Sequence, residues 1–141
     1  MKSLYTATAT AELGRAGHVS TDDKAIDTKL SVPKELGGDG GPHTNPEQLF
    51  SAGYAACFGS ALQHVAKEKD INLGEYSVTV STTLGTTEEE EFQLEVIIDA
   101  YLPKVDVETG EDLINTAHEV CPYSRATRDN IDVTLNLLLD E

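Results

Sequence analysis

Tryptophan is absent from the 141-residue chain; methionine occurs once, phenylalanine three times and tyrosine five times. Core filling therefore falls on Leu, Val, Ile and Ala. Basic residues are scarce: ten Lys and Arg stand against 25 Asp and Glu, a net charge of −15. Phosphate binding needs clustered cations, so this balance argues against nucleic acid as a partner and against an anionic membrane surface. The plain consequence of such acidity is solubility. Long apolar runs are missing too, and no segment reads as a transmembrane helix. Residues 1–10 lack the apolar core of a signal peptide, which makes the cytoplasm the expected location. Only two cysteines are present, Cys57 and Cys121. In a reducing compartment such a pair serves catalysis, metal binding or simple burial more often than a permanent bridge.

What remains is the composition of one folded domain spanning 1–141. Residues 4–11 (LYTATATA) and 25–32 (AIDTKLSV) read as strands. Between them, 12–24 holds Gly14, Gly17 and Asp22–Asp23 and reads as loop and turn. Residues 33–45, with two prolines and four glycines, form a long irregular connection of the kind that often carries function. The clearest helix follows, with Asn45 as N-cap, Pro46 at the first position and Glu47 in the first turn. It should end near Lys69, and its small-residue middle (AGYAACFGSA) marks it as central and buried. Residues 75–86 and 91–102 form a hairpin with Glu88–Glu91 as a solvated tip. A helix over 109–120 stops at Pro122, and 131–139 (IDVTLNLLL) makes a last strand. Strands, helix, strands, helix, strand is an α+β order, without the regular alternation of a doubly wound sheet.

Cys57 lies mid-helix among apolar neighbours, where a thiol is inert unless a cation from elsewhere in the fold stabilises its thiolate. A buried structural cysteine is the competing reading. Cys121, before Pro122 at a helix end, reads either as a loop thiol or as a redox partner 64 positions away. His118 and Cys121 have H-x-x-C spacing, and His43 and His64 are further possible ligands, but zinc sites show tighter ligand pairs. His118 is placed at a helix end, where the dipole favours its cationic form. Arg15, between Gly14 and Gly17, competes with Arg125 and Arg128 as the cation that Cys57 would need.

Three stretches together resemble one known family. They are GRAGHVSTDDKAIDTKLSVPKELGG (14–38), TNPEQLFSAGYAACFGSAL (44–62) and HEVCPYSRATRDNIDV (118–133). The sequence is similar to the Ohr branch of the OsmC/Ohr superfamily, the organic hydroperoxide resistance proteins, in order and spacing over essentially its whole length. Its departures are Ala16, Ser51 and Asp129. The resemblance implies an OsmC-like α+β fold, an intertwined homodimer with antiparallel sheets packed around central helices and two active sites at the interface. It implies that Cys57 is the peroxidatic cysteine, Cys121 the resolving cysteine, and Arg15 with Glu47 the ion pair that activates Cys57. It further implies an organic hydroperoxide substrate, no bound cofactor or metal, and a dihydrolipoyl dithiol, free or on a lipoylated protein, as external reductant. Phe50, Tyr54 and Tyr123 are the residues expected to line an apolar substrate pocket. A broader-specificity OsmC-like peroxidase and a non-catalytic redox-sensing or ligand-binding domain are the alternatives, beside a dimer with inert thiols. One consequence is geometric: Glu47 and Cys57 are ten residues apart on one helix, about 15 Å along its axis and ~80° apart in rotation. A Glu47 that serves a cysteine at close range would therefore serve the partner chain's.

Overall fold

The computed structural model describes residues 1–140. The chain divides into two compact units, Met1–Leu49 and Phe50–Glu141. The first holds strands β1 (Ala9–Glu12), β2 (His18–Thr21) and β3 (Asp27–Lys29) in a sheet ordered β1-β2-β3. Both pairings are antiparallel, with Glu12 opposite His18 and His18 opposite Lys29.

Three sequence expectations change here. The strand expected at 4–11 forms only from Ala9. β2 is four residues long, and its pairing reaches back only to Ala9 opposite Thr21 and a last bond from Asp22 N–H to Thr8 O, so residues 4–7 find no partner strand within the unit. Residues 12–24 are not one loop: their glycines and aspartates mark the two ends of β2, the centre strand. The strand at 25–32 shrinks to Asp27–Lys29. The irregular connection is as expected, and it returns to bring Thr44 beside Leu30 in an isolated parallel bridge.

Helix α1 (Pro46–Glu68) begins where the capping residues indicate. The Asn45 side chain accepts from the Gln48 amide at 2.9 Å, a cap that contributes about 1 kcal/mol. In the second unit, β4 (Ser77–Thr86) and β5 (Phe92–Tyr101) form the expected hairpin. Its tip closes through Thr87 N–H to Glu91 O at 2.9 Å. Helix α2 (Val107–Val120) starts earlier than its apolar pattern indicates, because Asp106 is the cap and accepts from the Thr109 amide at 2.9 Å. Pro122 does stop α2, but it also opens a further helix, α3 (Pro122–Thr127). Strand β6 (Val133–Leu138) then pairs with β5 in parallel, Ile98 opposite Leu135. The sheet β4-β5-β6 is thus mixed, a departure from the all-antiparallel expectation. A parallel neighbour requires a crossover, and α2 with α3 supplies it.

One face of this sheet joins Val80, Val96, Ile98 and Ala100 to Tyr54, Phe58, Leu62 and Val65 of α1 and Leu113, Ile114 and Ala117 of α2. Around the aromatic pair Tyr54 and Phe58 this core is aliphatic, as the shortage of aromatics implies. Ser51 ties α1 to the sheet through a 2.7 Å hydroxyl contact with Thr82. No helix among the described residues is long and apolar enough to cross a membrane.

Candidate active site

In the first unit, Arg15 sits on a single 3-10 turn, Gly14–Ala16, between β1 and β2. Leu13 and Gly14 both take left-handed backbone, with φ of 61° and 56°. For Leu13 that conformation costs about 1 kcal/mol, which the strand pairing on either side must hold in place. The turn closes at Gly17, where a Cβ would stand 1.8 Å from the Glu12 carbonyl oxygen. Gly17→Ala is therefore expected to open this turn at a cost of about 1–3 kcal/mol, read as a lower urea midpoint at unchanged m-value. An unaltered midpoint would show that the turn has room to rearrange.

The turn presents Arg15 to Glu47 in the first turn of α1. The pairing is bidentate, Nη1 to Oε1 at 2.6 Å and Nη2 to Oε2 at 2.7 Å. Such a fork fixes orientation as well as charge. The Arg15 hydrogen bonds hold the Glu47 carboxyl below the ordinary glutamate range. Glu47 in turn raises the Arg15 pKa through its hydrogen bonds, so Arg15 stays charged at every working pH.

In the second unit, Cys57 projects from the middle of α1, half-buried, while Cys121 is fully buried. Cys121 is at once the last cap of α2 and the first cap of α3. Its backbone N–H donates to Ala117 O at 2.8 Å, and its carbonyl accepts from the Arg125 amide at 2.9 Å. The two sulfurs lie 3.5 Å apart, with the thiols unbridged. A disulfide requires about 2.05 Å. Burial pushes the Cys57 thiol pKa up, and the Tyr123 backbone N–H, hydrogen-bonded to the sulfur, opposes that rise. Tyr123 follows Pro122, which has no N–H to offer, so this amide is the first free donor of α3.

The competing cations are differently disposed. Arg128 donates to the His118 carbonyl at 2.8 Å, closing the end of α2, and Arg125 is exposed. His118 departs from its expected cationic form: burial, then the nearby Arg128 charge, lowers its pKa, and its Nδ1 is buried without a partner. Among the described residues, no three His, Cys, Asp or Glu side chains converge in a metal-binding arrangement.

The three aromatics do not share one role. Phe50 lines an open groove of about 460 Å³ with Leu84, Phe92, Leu94 and Ile131. Tyr123 lies over the surface, 41% exposed, its hydroxyl end so near Gly53 that a Cβ there would come within 2.9 Å of it. Tyr54 does not line an open pocket. It is wholly buried, and its hydroxyl contacts Ser124 Oγ at 2.8 Å and Thr127 Oγ1 at 3.0 Å. Sequence reasoning missed these hydroxyls, α3 and the Tyr123 amide. The available signal was Pro122 itself, which marks a helix start as readily as a stop.

Residues 37–136 match the family model described as OsmC-like protein. The organic hydroperoxide resistance protein of Xanthomonas axonopodis pv. citri is 51% identical over 137 residues, 96% of either chain. The chain belongs to the OsmC-like family, among the organic hydroperoxide resistance proteins. Solved structures of this group agree in fold. An organic hydroperoxide resistance protein from Legionella pneumophila is 49% identical with a TM-score of 0.92, covering 97% of this chain and 99% of its own. One from Elizabethkingia anophelis is 48% identical with a TM-score of 0.93, covering 99% and 100%. The OsmC-like α+β fold expected from the sequence is thus established, and family and motif agree.

Proposed function

We propose that the protein is a cysteine-based peroxidase that reduces organic hydroperoxides to alcohols. The observation that carries this reading is the 3.5 Å approach of Cys57 to Cys121 across 64 residues of chain, with both thiols unbridged. The family supports the substrate class, since its members are named for resistance to organic hydroperoxides.

The chemistry closes in three steps. The Cys57 thiolate attacks the outer peroxide oxygen, the O–O bond breaks, and the alkoxide takes a proton and leaves as alcohol. Cys57 is then a sulfenic acid. The Cys121 thiol condenses with it, forming the S–S bond and releasing water, before a second peroxide can carry Cys57 to the sulfinic state. An external dithiol reopens the bridge by exchange and leaves as its own disulfide. A dihydrolipoyl group is the reductant we assign, and the site needs no bound cofactor.

Cys57 requires a cation for this work, because burial alone disfavours its thiolate. Arg15 is assigned that role and Glu47 the role of aiming it. The ten-residue spacing of Glu47 and Cys57 along α1 supports a homodimer in which each site combines residues of both chains. Residues 4–7, which pair with no strand of their own unit, with Leu4 and Tyr5 exposed, support the same assembly.

The test is steady-state turnover of cumene hydroperoxide and tert-butyl hydroperoxide with dihydrolipoamide as electron donor. Multiple turnovers are expected, faster with these substrates than with hydrogen peroxide. Folded, reduced protein that shows none would sink the reading. Oxidation of Cys57 without turnover would point to a redox-sensing domain instead.

A further inference from the structure

Ser124 and Thr127 are the buried polar residues of this chain among those described, 0% and 6% exposed. Both lie on α3, one turn apart, and both hydroxyls converge on Tyr54 Oη. Thr127 Oγ1 also donates to Ser124 O at 3.3 Å, so the cluster satisfies itself. A helix of six residues has little stability of its own and takes its position from tertiary contacts. Beside the Tyr123 amide on the Cys57 sulfur, this phenol grips α3 from α1 through side-chain hydrogen bonds. Tyr54 is three residues before Cys57 on α1, and Ser124 is three residues after Cys121. The hydroxyl cluster therefore ties together the two elements that carry the sulfurs, one turn from each.

We propose that the Tyr54 hydroxyl, through Ser124 and Thr127, is a positioning device for disulfide closure: it holds α3 so that Cys121 meets the Cys57 sulfenic acid before a second peroxide does. The proposal rests on the peroxidase reading above. It concerns the condensation step, Cys57–SOH with Cys121–SH giving the disulfide and water, and not the attack on peroxide. From 3.5 Å the sulfurs must still close by about 1.5 Å to reach bonding distance. A displaced α3 lengthens that approach.

The experiment separates the two steps. Reduced wild-type, Tyr54→Phe and Thr127→Val proteins are mixed with cumene hydroperoxide, from sub-stoichiometric to large excess. Peroxide loss gives the rate of attack, and intact mass gives the ratio of disulfide to sulfinic acid at Cys57. Tyr54→Phe is expected to keep the attack rate within about two-fold while closure slows roughly ten-fold, the scale of one lost hydrogen bond. Sulfinic acid should then appear at about ten-fold lower peroxide. Thr127→Val, which keeps the side-chain shape, should shift the ratio in the same direction. Thr127→Ser, which keeps the hydroxyl, should restore it. A merely structural defect would lower attack and closure together. Should Tyr54→Phe fail to fold, the Thr127 pair carries the same comparison. Wild-type disulfide yield in Tyr54→Phe and Thr127→Val, beside normal wild-type turnover, overturns this inference alone. A wild-type protein that consumes no organic hydroperoxide overturns the peroxidase reading with it.

Discussion

Cys57→Ser is expected to abolish hydroperoxide reduction, by at least about a thousand-fold, because a serine hydroxyl does not ionise near neutral pH and a thiolate is the nucleophile. The fold should survive the change. Cys57 is half-buried, and one oxygen replaces one sulfur within an intact α1. Cys121→Ser should behave differently in kind. Its Cys57 still attacks, so one equivalent of alcohol forms per site. Without a resolving thiol the sulfenic acid then accumulates and oxidises further. Alcohol yield against added peroxide distinguishes the two variants: none for Cys57→Ser, a burst of one for Cys121→Ser. Sustained dithiol-driven turnover by Cys121→Ser would remove the bridge from the cycle.

Arg15→Ala carries the second large effect. Burial pushes the Cys57 pKa up, and the Arg15 guanidinium is the cation proposed to bring it down. Deleting that cation lets the pKa climb again, and the thiolate present at neutral pH falls in proportion. Alkylation of Cys57 at pH 7 should therefore slow by roughly ten-fold or more, with the whole rate–pH curve displaced toward alkaline pH. At alkaline pH the variant should approach the wild-type plateau, since both thiols are then ionised. Arg15→Lys keeps the charge but loses the two-pronged hold of Glu47, and should fall between. A superimposable pH profile for Arg15→Ala would refute the assignment. Mixed dimers refine it. A Cys57→Ser chain paired with a Glu47→Ala chain keeps one intact shared site if Glu47 serves the partner's cysteine, and none if it serves its own.

The parts legible in the sequence share a physical character: their signals are local. Asn45-Pro46-Glu47 announces the start of α1 because cap, first position and dipole all act within one turn. The hairpin shows through period-two alternation on either side of an acidic tip. The two cysteines, Arg15 and Glu47 were legible through long motifs, and their pairwise meetings at 3.5 Å and at 2.6 Å are what the structure adds. Less legible was whatever depended on a distant partner. β2 looks like loop because its four residues become a strand only when flanked on both sides. The parallel pairing of β6 has no local mark, since alternation is the same for either direction. Tyr54 misled for a related reason. Its phenol reads as an amphipathic pocket residue until Ser124 and Thr127, 70 and 73 positions away, are found at its hydroxyl.

The parallel β6 strand has a consequence for how the protein is made. Parallel pairing waits for its crossover, and such non-local contacts are slow to form. Here the crossover is α2 and α3, with Cys121 at the joint between them. As the ribosome extends the chain, Cys57 and its helix emerge more than sixty residues ahead of Cys121. In the folded chain β6 lies beside β5, and the joint holds the Cys121 sulfur 3.5 Å from that of Cys57. A nascent chain that has not yet released Cys121 therefore carries Cys57 as a solitary thiol, without the sulfur that the folded protein sets beside it.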